Sequence, residues 1–239
     1  MKDKNRTKKE SVKINGFQAP RVETLMKEHS HEVSPWRIFK IMAEFVAGYE
    51  FLRRYKKAVT IFGSARETLP KEVYDEAEKL AHGLSKMGFA VITGGGGGIM
   101  QAANKGAFKA KGSSVGINIR LPYEQRSNEY VTESEAFKYF FVRKTMLSYA
   151  SQLYIFFPGG FGTLDELFEM LTLVQTEKIE KIPIILVGRE FCAPLLKWID
   201  ECLNKHHNLI DSHDMNLYRL VDNADEALDI VKTLAKSKK

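Results

Sequence analysis

From residue 58 onward, short and almost continuously apolar runs alternate with amphipathic stretches. The runs Ala58–Phe62, Phe89–Thr93, Ser114–Ile119, Leu153–Phe157 and Ile182–Val187 read as strands. Between and after them, helical patterns fall near residues 70–87, 99–110, 142–150, 163–176, 191–204 and 223–235. Ahead of the first run, Ile38, Ile41, Met42, Phe45, Val46, Tyr49 and Leu52 recur at helical spacing. With the start signal Ser34-Pro35, they predict a helix over Trp36 to Tyr55. No internal repeat is visible. Strands alternating with helices predict an α/β fold with a parallel sheet covered on both faces, and runs apolar at nearly every position suit doubly buried strands. Such sheets bind ligands at the carboxyl ends of their strands. Three of those ends carry glycine: Gly63, Gly94 to Gly98, and Gly159 to Gly162.

The third of these is the most informative. Pro158-Gly159-Gly160-Phe161-Gly162-Thr163-Leu164-Asp165-Glu166 joins a strand to a helix. Its glycines leave backbone N–H groups bare to an anion, and the helix N-terminus adds partial positive charge. Glu166 follows one turn later, so an anion grip and an acid/base group lie side by side. A plainer role is open for it: Thr163-Leu164-Asp165-Glu166 has the spacing of a capping box. The apolar stripe Leu164, Leu167, Phe168, Leu171 and Val174 reads as core packing, with Glu166 off it.

Gly94 to Gly98, followed by Ile99-Met100, is costly for a simple turn, because glycine loses the most backbone freedom on folding. It is either a flexible loop or a phosphate loop. It fails the dinucleotide fingerprint, since no pair of its glycines has the third at the required offset. Asn118, Ile119 and Arg120 stand where a ribose-binding acid would be expected, and no nucleotide P-loop motif occurs. Arg143-Lys144 precedes the strand that delivers the third glycine turn; Glu124 reads as a loop carboxylate, and Arg66 as either surface or a phosphate ligand. No serine nucleophile elbow, cysteine–histidine pattern or metal-ligand spacing of the histidines stands out, so no metal is expected.

Composition adds limits. A chain of 239 residues with 44% hydrophobic and 28% charged positions can bury a full core. No run approaches the ~18 apolar residues of a membrane span, and the basic N-terminus has no apolar secretory segment. Cys192 and Cys202 are too few for a disulfide framework, which makes the cytoplasm the expected compartment. The net charge of +6 sits in the ends: residues 1–13 carry +4 and the last four +3, leaving the body at −1. That distribution argues against a nucleic-acid partner, which would need a basic patch on the fold itself. The expected organisation is a basic, flexible tail over 1–33, one domain over 34–235, and a short basic tail over 236–239.

PGGFGTLDE at 158–166, with Arg143-Lys144 upstream and TGGGGGIM at 93–100, resembles the LONELY GUY (LOG) family of cytokinin-activating phosphoribohydrolases. Their signature is PGGxGTxxE, and the resemblance covers roughly residues 56 to 205. It implies a Rossmann-like, doubly wound fold, dimers or higher homo-oligomers, and no cofactor. The implied reaction is hydrolysis of the N-glycosidic bond of a nucleoside 5′-monophosphate, AMP or N6-modified AMP. By motif, Arg143 and Glu166 would be catalytic. Glu124, Lys144, Gly159, Gly160, Phe161, Gly162, Thr163, Leu164 and Asp165 would bind substrate, with Gly63, Ser64, Gly94, Gly95, Gly96, Gly97, Gly98 and Met100 as further walls. Members often carry the label lysine decarboxylase, but a pyridoxal-phosphate decarboxylase needs a Schiff-base lysine and a far larger scaffold. Two other readings stay open: a non-catalytic nucleotide or molybdenum-cofactor carrier on the same fold, and an interaction protein that retains only the shell. The ends and the helix at 36–55 depart from the shortest members.

Overall fold

The structure, a computed structural model, describes residues 11–14, 17–20, 35–120 and 127–236. Along the chain it divides into two units, Met1–Met42 and Ala43–Lys239. In the first, β1 (Ser11–Ile14) and β2 (Phe17–Pro20) form an antiparallel hairpin with Ile14 opposite Phe17. Helix α1 (Pro35–Leu52) begins in this unit and ends in the second.

The second unit alternates as the apolar pattern requires. In chain order it holds β3 (Ala58–Phe62), α2 (Lys71–Lys86), β4 (Ala90–Thr93), α3 (Ile99–Lys109), β5 (Ser114–Ile119) and β6 (Glu133–Phe137). There follow α4 (Phe140–Tyr149), β7 (Tyr154–Phe156), α5 (Phe161–Gln175) and β8 (Ile184–Val187). Last come α6 (Arg189–Trp198), which continues as a π-helical stretch over Ile199–His206, then β9 (Tyr218–Val221) and α7 (Ala224–Lys236). The sheet order is β6-β5-β4-β3-β7-β8-β9, with every pair parallel. This is the Rossmann-like, doubly wound sheet that the sequence predicts.

Strand alternation sorts the core into two layers. Val59, Ile61, Ile155, Ile185 and Val187 meet α2, α3 and α7 on one face. Phe62 and Phe156, from adjacent strands, stack on the other with ring centroids 4.9 Å apart. Helices α2 and α3 approach closely because Ala77, Ala81, Ala103 and Ala107 are small and fully buried. Across the opposite layer, Glu44 of α1 accepts hydrogen bonds from the amides of Lys138 and Tyr139, at 3.0 and 3.1 Å. Those amides lie at the start of α4, so Glu44 fixes where that helix begins.

The sequence pattern missed the hairpin, β6 and β9. Glu133-Ser134-Glu135-Ala136-Phe137 carries polar residues because β6 is an edge strand, exposed at its first two positions. Among residues 1–33 only the hairpin is described, and 236 alone among 236–239.

Gly106 gives the packing a sharp test. A Cβ there would press on the Glu78 carbonyl oxygen and stand 2.9 Å from the His82 amide, both helical backbone. A Cβ at Gly83 would meet only the end of the Leu228 side chain, at 2.8 Å, which can swing aside. Gly106→Ala is expected to cost about 2–3 kcal/mol through overpacking, whereas Gly83→Ala stays within about 1 kcal/mol because alanine favours helix. Urea unfolding of the two variants measures the contrast, and equal losses would refute this packing.

Candidate functional site

The chain turns to opposite faces of the sheet after β3 and β7, neighbouring strands whose connections lead to α2 and α5. Such a switch point opens a crevice that neither connection covers. The two turns are tied together: the Ser64 amide donates to the Pro158 carbonyl at 3.0 Å, and the Phe157 amide to Phe62 at 2.9 Å. Above them lies a cavity of about 550 Å³. Its walls are Gly63, Ser64, Ala65 and Arg66 after β3, Gly94 and Met100 after β4, Phe140, Arg143 and Leu147 of α4, and Gly160 to Thr163 with Glu166 of α5; Phe62 completes it.

The glycines here are of two kinds. Gly63, Gly94 and Gly159 are required by their neighbours: a Cβ would collide with Ile99, with Arg143 Nη2 and Met100, and with Thr163, respectively. At Gly160 and Gly162 a Cβ would meet nothing within 4 Å, and neither residue has a positive φ. No contact within the described protein explains these two. They leave the first amides of α5 open to the cavity, where a side chain would screen them.

Helix α5 starts at Phe161 with Gly160 at the cap and no side-chain capping bond. Thr163 already lies inside the helix, so the capping box does not form and Glu166 is not spent on its own helix end. Nor is Glu166 off the buried face: with Thr163, Leu167, Met170 and Val174 it forms that face, while Phe168 is partly exposed. Its side chain is 8% exposed, and its Oε2 is buried with no hydrogen-bond partner. Burial is the main cause that pushes its pKa from 4.5 up to about 7; Lys144 opposes the shift, and Glu169 and Asp165 add to it.

Arg143 is anchored through backbone carbonyls. Its Nε donates to Ile117 at 2.8 Å, and its Nη2 to Gly94 at 3.5 Å. Burial lowers its pKa and the charge of Glu166 works against that. Lys144 contacts three acids: Asp165 Oδ2 at 2.5 Å, Glu169 Oε2 at 3.0 Å and Glu166 Oε2 at 3.8 Å. Burial depresses the Lys144 ammonium's pKa, but the bonds to Asp165 and Glu169 outweigh this and hold it above the usual lysine value.

Most of the residues singled out from sequence therefore converge on one cavity. Lys144, Leu164 and Asp165 stand outside its wall, and Gly159 lies beneath the turn. Gly95, Gly96, Gly97 and Gly98 do not line it. The Gly95 carbonyl accepts from the Asn128 amide and the Gly96 carbonyl from Asn128 Nδ2, both at 2.9 Å. Gly95 and Gly98 have φ of 72° and 61°, which glycine adopts readily, and Gly98 packs on the backbone at Ser64 to Arg66. Buried Asn104 links this loop to β4 and β5 through Thr93 and Ser114. Glu124 lies outside the described residues. Phe62, Ala65, Phe140 and Leu147 join the wall without having been assigned to it, and Arg66, open to two readings in the sequence, lines it as well.

Fold and site together define a Rossmann-like α/β protein with a buried acid and an anchored arginine in a glycine-walled crevice. The model of the family described as "possible lysine decarboxylase" matches residues 100–231, more than half of the chain. The chain belongs to this family, the LONELY GUY family that the motif indicated. A cytokinin riboside 5′-monophosphate phosphoribohydrolase of Rhodococcoides fascians is 25% identical over 147 residues, 60% of this chain and 74% of that protein. One of Arabidopsis thaliana is 29% identical over 154 residues, 63% of this chain and 67% of that protein. At family level these relatives are hydrolases. The molybdenum cofactor binding protein of Rippkaea orientalis superposes with a TM-score of 0.58 at 21% identity, over 75% of this chain and 98% of that one. The molybdenum cofactor carrier protein of Chlamydomonas reinhardtii gives 0.57 at 21% identity, over 76% and 99%. At such identity these two share the fold.

Burying Glu166 has a thermodynamic signature. Between pH of about 4.5 and about 7 the native chain holds a proton on Glu166 that the unfolded chain has lost. This group's contribution is therefore most favourable below about 4.5 and is lost as pH rises through about 7. Glu166→Gln carries no such penalty. It is expected to be more stable than wild type at pH 8 by on the order of 2–3 kcal/mol, with little difference near pH 5. Urea unfolding at the two pH values tests this, and an equal difference at both would count against a buried acid.

Proposed function

We propose that the protein hydrolyses the N-glycosidic bond of a nucleoside 5′-monophosphate, AMP or N6-modified AMP, releasing free base and ribose 5-phosphate. The observation that carries this reading is a buried carboxyl titrating near pH 7, in the cavity wall one helical turn from two glycines that no protein contact requires. The relatives named as phosphoribohydrolases supply the reaction class.

The chemistry follows from charge. Breaking the C1′–N bond builds positive charge on the ribose, as in glycoside hydrolysis. Glu166 as carboxylate stabilises that charge and orients or deprotonates the attacking water. The open amides at the start of α5 hold the 5′-phosphate, so binding energy at the unreactive end aligns the reactive one. Arg143 stays cationic and is no base; fixed to Ile117 and Gly94, it orients the nucleotide or stabilises the departing purine. Phe140 and Phe161, both exposed at the cavity, offer apolar surface to the base. A homo-oligomer belongs to this reading, since Val46, Tyr49, Phe141 and Tyr149 leave apolar surface exposed.

Decarboxylation through a lysine Schiff base fits less well. The lysine beside the cavity, Lys144, is held as an ammonium by three carboxylates, whereas a Schiff base needs a neutral amine. A passive carrier has no use for an acid kept near neutrality in the wall.

AMP is expected to yield free adenine, and adenosine at least about 100-fold less, because adenosine lacks the anchoring phosphate. Glu166→Gln should lower turnover by about 10³-fold while AMP still binds. Chromatographic release of adenine and calorimetric binding check both, and comparable cleavage of adenosine would remove the phosphate anchor. With Glu166 needed as its carboxylate, kcat/KM should rise with pH and level off above about 7.

A further inference from the structure

Three acids surround one cation beside the cavity, and the arrangement is not balanced. Glu166 and Glu169 are three residues apart on α5, so they lie side by side on the helix surface. Lys144 reaches both, at 3.8 and 3.0 Å, but it also binds Asp165. The Oε2 atoms of Glu166 and Glu169 are both buried, and the ammonium stands nearer to that of Glu169, which leaves Glu166 Oε2 without a hydrogen-bond partner. Neighbouring carboxylates repel, and the cation that Glu169 holds is the one Glu166 would need. Glu169 does not line the cavity, so it has no access to substrate.

We propose that Glu169 is a positioning residue: it holds the Lys144 ammonium away from Glu166 and so keeps the Glu166 carboxyl in the cavity wall without a close cation. The inference rests on the reading of Glu166 as the working carboxylate. The charged groups that bear on Glu166 are Arg143 and Lys144 from α4, and Asp165 and Glu169 from its own helix. Arg66, from the turn after β3, lines the same cavity. Of these, Glu169 is the acid that takes up Lys144 through a buried oxygen. Asp165 is exposed and bonded to Lys144, and the two arginines are permanent cations. The negative charge of Glu169 and its hold on Lys144 both oppose ionisation of the acid that must act.

Glu169→Gln tests this, because glutamine keeps the shape, removes the charge that holds Lys144 and frees the ammonium for the Glu166 carboxylate. The acidic limb of kcat/KM for adenine release from AMP is expected to move down by about one pH unit. KM at pH 8 should stay within about twofold of wild type. Carboxyl-carbon NMR of glutamate-labelled protein, with Glu166→Gln identifying the resonance, should show the Glu166 midpoint falling in parallel. Glu169→Ala, which also removes the neighbouring acid, should move the limb in the same direction. A midpoint or limb displaced by less than about 0.3 unit refutes the proposal, as does a uniform loss of kcat with the limb in place, the mark of a merely structural residue. If the wild-type chain releases no base, the hydrolase reading fails, and the NMR midpoints still decide whether Glu169 governs Glu166.

Discussion

A carboxyl buried at the end of a parallel sheet is the constraint around which the second unit is organised. Glu166 sits on the core-facing side of α5, at a position where leucine would pack without electrostatic cost. Taking its charge out of water is unfavourable, and the surroundings offset only part of that. Lys144 lies 3.8 Å from its Oε2, beyond a good hydrogen bond, and is divided among three acids. The site thus keeps an acid close to the point where it exchanges its proton at neutral pH. Groups held in that condition are the ones suited to proton transfer and to stabilising a developing cation.

Geometry around the acid is rigid because backbone, not side chain, does most of the holding. Arg143 hangs from the Ile117 carbonyl at the end of β5. Its helix begins where Glu44 takes up the Lys138 and Tyr139 amides. The Gly95–Gly98 stretch is fastened by Asn128 and Asn104, and Gly94 makes room for the guanidinium. The turn after β4, the start of α4 and the Arg143 guanidinium are thus fixed before any ligand arrives. The start of α5 and the rings of Phe140 and Phe161 face the cavity.

Much of this was legible along the chain. Apart from β6, the strand positions from Ala58 to Val187 follow from apolar runs that suit doubly buried strands. The turn at Gly159–Gly162 stood out because a strand, three glycines and an acid fall in fixed order. What was not legible has physical causes. Strand β6 is polar since one of its edges faces water, and β9 is short with an exposed arginine, so neither shows the apolar signature. The five-glycine run looks from sequence like one phosphate loop. In the fold, it splits between a cavity wall at Gly94 and internal fastening at Gly95 to Gly98, because Asn128 comes from a segment some thirty residues away. The capping box had the right letters, but α5 starts three residues earlier than Thr163 would require, and so Glu166 is free of that role.

The walls of the crevice are gathered from after β3, after β4, from α4 and from α5, segments spread over roughly a hundred residues of chain. No single hairpin or helix pair contains them. Arg143 has no anchor until β5 is in place, and the turns at Ser64 and Pro158 have no tie until β3 and β7 are paired. A partly folded chain with most of its helices formed would therefore still lack the crevice. Recovery of ligand binding after denaturation would report completion of the central sheet, a later event than the return of helical signal.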